Sequence, residues 1–67
     1  MSERTYGYIE LTGSSTSSSD DAVHNAIQKA GETVKEMRWV EVTNTRGHIV
    51  DGKIAHWQVT VKIGYTI

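Results

Sequence analysis

The pair Asp51-Gly52, set between two long runs of alternating apolar and polar residues, constrains this chain more than any other feature. Asp-Gly favours the two-residue type I′ turn, in which both central residues take positive φ and the twist matches that of the joined strands. The second half therefore reads as one long antiparallel hairpin. In its last strand Trp57, Val59, Val61, Ile63 and Tyr65 fall on one face, with Ile54, His56, Gln58, Thr60 and Lys62 on the other. The apolar face is expected to pack on a helix. Val40, Val42 and Val50 join it from the preceding strand, leaving Trp39, Glu41, Thr43 and Thr45 opposite.

The first half supplies a further strand and the helix. Tyr6 to Thr12 alternates, with Ile9 and Leu11 directed to the core, and Gly13 is expected to break the strand. The serine-rich stretch from Ser14 to Ser19 reads as a soft loop that offers several N-caps. Asp20 and Asp21 suit the positive end of a helix beginning near Ser19. Val23, Ala26, Ile27, Ala30, Val34 and Met37 then recur at steps of three and four, which predicts one amphipathic helix with Gly31 inside it. The fold class is α+β, in the order β-α-β-β: a three-stranded antiparallel sheet with one helix on one face, forming a single domain over residues 1–67.

A lone domain of 67 residues buries only about 60% of the surface its unfolded chain exposes. Disulfides, metals or oligomerisation usually make up the difference, and the sequence has no cysteine. Seven basic and eight acidic residues give a net charge of -1, so there is no positive excess to neutralise a nucleic-acid backbone. The opening Met-Ser-Glu-Arg lacks the apolar run of a signal peptide, and no apolar stretch approaches the roughly 20 residues that cross a bilayer. The chain reads as a cytoplasmic protein without nucleic-acid or membrane partners.

One helix covers one face of a sheet, so the second face meets water or another subunit. That face carries Tyr6, Tyr8, Trp39, Ile54 and Gln58, a mix closer to an interface or ligand surface than to a solvated one. Trp39 is either an interface anchor or a stacking platform for a flat aromatic ligand. Gln58 offers an acceptor and two donors, which suits the edge of a heterocycle bearing C=O and N–H groups. Arg46 either holds a phosphate or carboxylate or pairs with a neighbouring acid.

Enzyme signatures are absent: there is no phosphate loop, HExxH motif or nucleophile elbow. Glu10 and Glu41 read as members of cross-strand ion pairs. His24 falls on the helix, and alternation puts His48 and His56 on opposite faces of the hairpin, so no metal site is expected.

At these residues the sequence resembles the dodecins. The likeness runs through Ile9-Glu-Leu-Thr-Gly-Ser-Ser, the helix, Trp39-Val-Glu-Val, Arg46-Gly, and Gln58-Val-Thr-Val-Lys-Ile-Gly. It implies a β-α-β-β protomer that assembles into a hollow homo-dodecamer and binds flavins. It also implies that Trp39 stacks on the isoalloxazine ring, that Gln58 hydrogen-bonds its polar edge, and that Arg46 lies near the phosphate of FMN. Some relatives carry a basic residue where Thr66 stands here, which implies fewer charges around that phosphate. The implied function is storage and sequestration of FMN or of riboflavin, FAD or lumichrome-type flavins, with their photochemistry quenched, and not catalysis. A structural or interaction shell, with coenzyme A as a further ligand that the family permits and Trp39 only as an interface anchor, is the competing reading.

A two-residue turn at Asp51-Gly52 sets Gln58 opposite Thr45 and Trp39 opposite Gly64. Trp39 and Gln58 are then six residue steps apart, about 20 Å against a flavin ring system of roughly 10 Å. Unless a bulge shortens the path, a ring site that uses both residues draws them from different chains.

Overall fold

Local sequence sets the boundaries of four elements in the computed structural model, which describes residues 3–67. Met1 and Ser2, part of the opening stretch read as lacking a leader, lie outside the described residues. The elements are β1 (Tyr6–Ser15), α1 (Ser19–Ala30), β2 (Met37–Val50) and β3 (Lys53–Thr66). They form one antiparallel sheet in the order β1-β3-β2, so the last strand is the central one. Asp51 (φ 53°) and Gly52 (φ 75°) both take the left-handed conformation, as a type I′ turn requires.

α1 is shorter at its end and tighter at its start than the sequence periodicity predicts. Ser18 caps it by accepting from the Asp21 N–H at 3.0 Å, and the Ser15 hydroxyl donates to the Asp21 carboxylate at 2.7 Å. The Ser15 oxygen also accepts from the Ser17 N–H at 2.9 Å. The serine stretch is therefore an ordered strand-to-helix corner and not a soft loop. At the other end Gly31 caps the helix instead of lying inside it, with its N–H bonded to the Ile27 carbonyl at 2.9 Å. Val34 and Met37 continue the three-and-four spacing by coincidence. The chain reverses through Glu36, at φ 55°, and Met37 reaches the core from β2.

β1 runs three residues beyond its expected end at Thr12. Gly13 does not end it but lets α1 approach, since a Cβ there would collide with the Ala22 carbonyl and the Ala26 methyl. Ala22, Ala26 and Ala30 lie buried at this close contact against Val59, Val61 and Ile63, with Ile9, Leu11, Val23, Ile27 and Met37 packed around them. Small helix residues over large strand residues bring the two layers together with few voids. α1 lies over β1 and β3 and reaches β2 only near Met37, so most of β2 is left exposed among the described residues.

The hairpin register departs from simple pairing at three places. Arg38 and Thr43 on β2 and Ala55 on β3 are each an extra residue in the ladder. A one-residue slip exchanges the faces of all that follows. Thus Gln58 lies opposite Arg46 and not Thr45, and His48 lies opposite His56. Asn44, Arg46 and His48 share the face of Trp39, whereas Thr45 is carried to the α1 side with Gly47. Ile54 also changes face: it packs where a Cβ on Gly47 would be, 3.3 Å away, on the α1 side. The slip likewise removes Val50 from the α1 side. The extra residues at Thr43 and Ala55 stand on opposite strands and cancel, so Trp39 pairs with Gly64 as a simple hairpin count requires.

Candidate functional site

The face of the sheet turned away from α1 carries two clusters at opposite ends of β3. At the first, Trp39 lies over Gly64, where any Cβ would run into the indole. Tyr6 meets the same ring edge to face, with centroids 5.4 Å apart at 61°. Tyr8 follows on β1, and the Lys62 ammonium sits 5.2 Å from its ring centroid. Trp39 and Tyr8 remain 43% and 60% exposed, a large aromatic area for a protomer of this size to leave in water.

Arg38, the extra residue beside Trp39, adds a cation that the sequence reading missed. Its Nε donates to the Thr66 hydroxyl at 2.8 Å, and its other end pairs with Glu36 at 3.0 Å. A guanidinium therefore stands at the place where the lack of a basic residue at Thr66 implied fewer charges. Alternation alone gave no sign of this, because only the bulge turns Arg38 toward Thr66.

The second cluster is a chain of polar side chains. Arg46 Nε donates to Gln58 Oε1 at 2.9 Å, and its Nη1 donates to Asn44 Oδ1 at 3.0 Å. These are neutral acceptors, so the arginine is not spent on a neighbouring acid. On its far side Gln58 Nε2 approaches His56 Nε2 at 3.4 Å. The His56 and His48 rings stack with centroids 4.9 Å apart at 26°. The expectation that these histidines face opposite ways is thus overturned by the register slip. Among the described residues no group of three or more His, Asp or Glu side chains converges on a metal-sized space. His24 lies on α1.

Glu10 and Glu41, expected in cross-strand ion pairs, both stand opposite Lys62 in the ladder, but among the described residues the ion pairs are Lys29–Glu32 and Arg38–Glu36, and neither carboxylate closes on the lysine. The lysine head group leans toward Tyr8. Trp57 falls on the α1 side, between Ser15 and Gly47 in the ladder, half-buried there but outside the core cluster.

Arg46 and Gln58 are therefore brought together within one protomer, and Trp39 is not. Gly64, which Trp39 overlies, and Gln58 are separated by six steps of β3, about 20 Å at the strand rise. The bulges do not shorten that path, since it is counted along the central strand. A ring-sized ligand that used all three residues would need at least two copies of the chain.

The α1 side of β2 is the other incomplete surface. Val40, Val42 and Ile49 there, with Ile54 of the adjoining β3, are 40% to 67% exposed. Beside them a groove runs between α1 and β2, lined by Ile27, Met37, Val40 and Ile63. Together with the aromatic face open on the other side, this leaves apolar surface of the protomer exposed on both faces of the sheet.

Comparison with known proteins places the chain. The Dodecin family profile matches residues 5–67, and the chain belongs to that family. It is similar to the dodecin of Thermus thermophilus, 28% identical over 64 residues that make up 96% of this chain and 93% of that protein. Its structure is similar to that of dodecin from Streptomyces coelicolor, with a TM-score of 0.94 at 45% identity, covering 100% of this chain and 96% of that one. Dodecin from Streptomyces davaonensis gives a TM-score of 0.93 at 41% identity, covering 98% and 97%. The family identity agrees with the β-α-β-β resemblance carried by the sequence motifs.

Proposed function

We propose that this protein stores and sequesters flavin, as a homo-dodecamer that stacks the ring of FMN or of riboflavin, FAD or lumichrome-type flavins on Trp39 at subunit interfaces. The family is known as flavin-binding. The observation that carries the reading is the half-exposed Trp39 indole laid over Gly64, a flat apolar platform that the protomer's own helix cannot cover. A flavin stacked there is held by dispersion, and its excited state accepts an electron from the indole, so the bound flavin is dark and photochemically quiet.

Gln58 presents one carbonyl and one amide to the polar ring edge. With Trp39 about 20 Å away in the same chain, the two act on one ring from different subunits. Arg46 supplies charge for the phosphate of FMN, and Arg38 stands as a second guanidinium at the other end of the face. Oxidoreductase chemistry would need an open substrate position beside the flavin and groups that tune it. The residues here serve retention, and the role is non-enzymatic and cytoplasmic.

Titration of FMN and riboflavin fluorescence with wild-type protein and Trp39→Ala, each sized by light scattering, tests this. Saturable quenching by the wild type, lost in a variant of unchanged mass, supports the platform. Absence of quenching at micromolar protein returns Trp39 to an interface anchor in a structural shell.

A further inference from the structure

The Arg46-Gln58-His56 chain has a defined polarity. Arg46 has only donors, so the Gln58 atom it meets at 2.9 Å is the carbonyl oxygen. The amide nitrogen is then left facing His56 Nε2 at 3.4 Å. For this approach to be a hydrogen bond the amide N–H donates and His56 accepts, which takes an unprotonated Nε2 with the ring proton on Nδ1. Only neutral imidazole does this. An imidazolium has a proton on both nitrogens and can offer Gln58 Nε2 nothing but a second donor.

The geometry points to a proton-driven switch in which protonation of His56 reverses the Gln58 amide and releases Arg46. When His56 takes up a proton from water, Nε2–H needs the Gln58 oxygen. If the amide turns to supply it, the nitrogen faces Arg46, two donors meet, and the guanidinium leaves. This rests on the flavin reading only for its consequence. With neutral His56, Gln58 is held at both ends, keeping one lone pair and one N–H free and fixed in direction. With charged His56 that fixed edge is lost, and a ring with C=O and N–H groups pays more to order it.

The surroundings of His56 set which way the balance leans. From β2, Arg46 and the stacked His48 oppose a positive charge, the latter most strongly when it too is protonated. From α1, Asp21 shares a polar recess with His56 and favours the charge, although one carboxylate oxygen already accepts from Ser15. From β1, the uncharged Ser14 lies opposite Gln58.

Crystal structures of the ligand-free protein at about pH 8 and about pH 5 decide the switch without any flavin. The expected result is an Arg46-Gln58 contact kept in base and opened beyond hydrogen-bond range in acid, with Gln58 drawn to His56. An unchanged contact in acid overturns the proposal. In a second arm, riboflavin is used because it has no phosphate to titrate. Its affinity should fall about fivefold from the high to the low pH, the scale of one hydrogen bond, and this dependence should vanish in His56→Phe but persist in His48→Phe. Dependence that survives in His56→Phe overturns the proposal. Failure of riboflavin to bind at either pH would sink the flavin reading and leave the crystallographic arm to decide the switch.

Discussion

Gly64 has no side chain because Trp39 lies where one would be. Gly64→Val therefore lifts the indole from the sheet and spoils the platform on which a ring would rest. Flavin affinity is expected to fall by about tenfold or more, as for loss of a stacking pair together with its buried area, measured by fluorescence quenching at unchanged particle mass. Arg46→Ala is expected to reduce FMN binding more than riboflavin binding, and Arg38→Ala tests the same preference at the other end of the face. Paired titrations of the two flavins report the ratio. At this scale the sequence was legible where side-chain chemistry alone decides. Trp39 on the open face and its partner Gly64 follow from counting outward from Asp51-Gly52. The partner of Gln58 does not, because the count is wrong by one between Ala55 and Thr43 and right again beyond them. The Arg46-Gln58 bond, the stacked histidines and the reach of Arg38 all depend on these bulges. Alternation carries no mark of them.

Among the elements, β1 and α1 meet at a contact that only glycine permits. Gly13→Ala forces the helix away from the sheet and is expected to cost about 1–3 kcal/mol, the usual penalty of overpacking. Ser18→Ala removes the cap of α1 and is expected to cost about 1 kcal/mol. Chemical denaturation of each variant, followed by circular dichroism, checks both, and Gly13→Ala should be the worse. Three strands, one helix and their order were readable from periodicity because a change from period 3.6 to period 2 is a large signal. The helix end was less so: Val34 and Met37 kept the helical spacing by chance, while Gly31 ended the helix. Gly13 misled in the opposite direction, since a glycine in a strand can mark a break or a close neighbour, and only the packed helix distinguishes them.

The protomer as a whole is 56 Å long and 13 Å thick, with a radius of gyration of 14.0 Å, against about 11 Å for a compact chain of this length. The excess comes from the hairpin arm, which runs past the end of β1 at Ser15 and keeps Ile49 and Ile54 exposed. Val42→Lys places a charge in the apolar strip on the α1 side of β2, where another subunit is expected to bury it. Assembly mass by light scattering should drop and flavin quenching should fall with it, because the ring site requires more than one chain. Retention of full affinity by such a monomer would contradict an intersubunit site. The placing of β3 at the centre of the sheet also bears on how the chain is made. β1 emerges from synthesis early but pairs only with β3, whose first residue, Lys53, follows the end of β1 by 38 positions. At about 5–20 residues per second, the first strand and its helix wait some seconds with only each other to pack on. β2 also finds its only partner in the strand made last of the three. Folding of this sheet is thus withheld until translation has nearly passed through it, and then all three strands become able to pair at once.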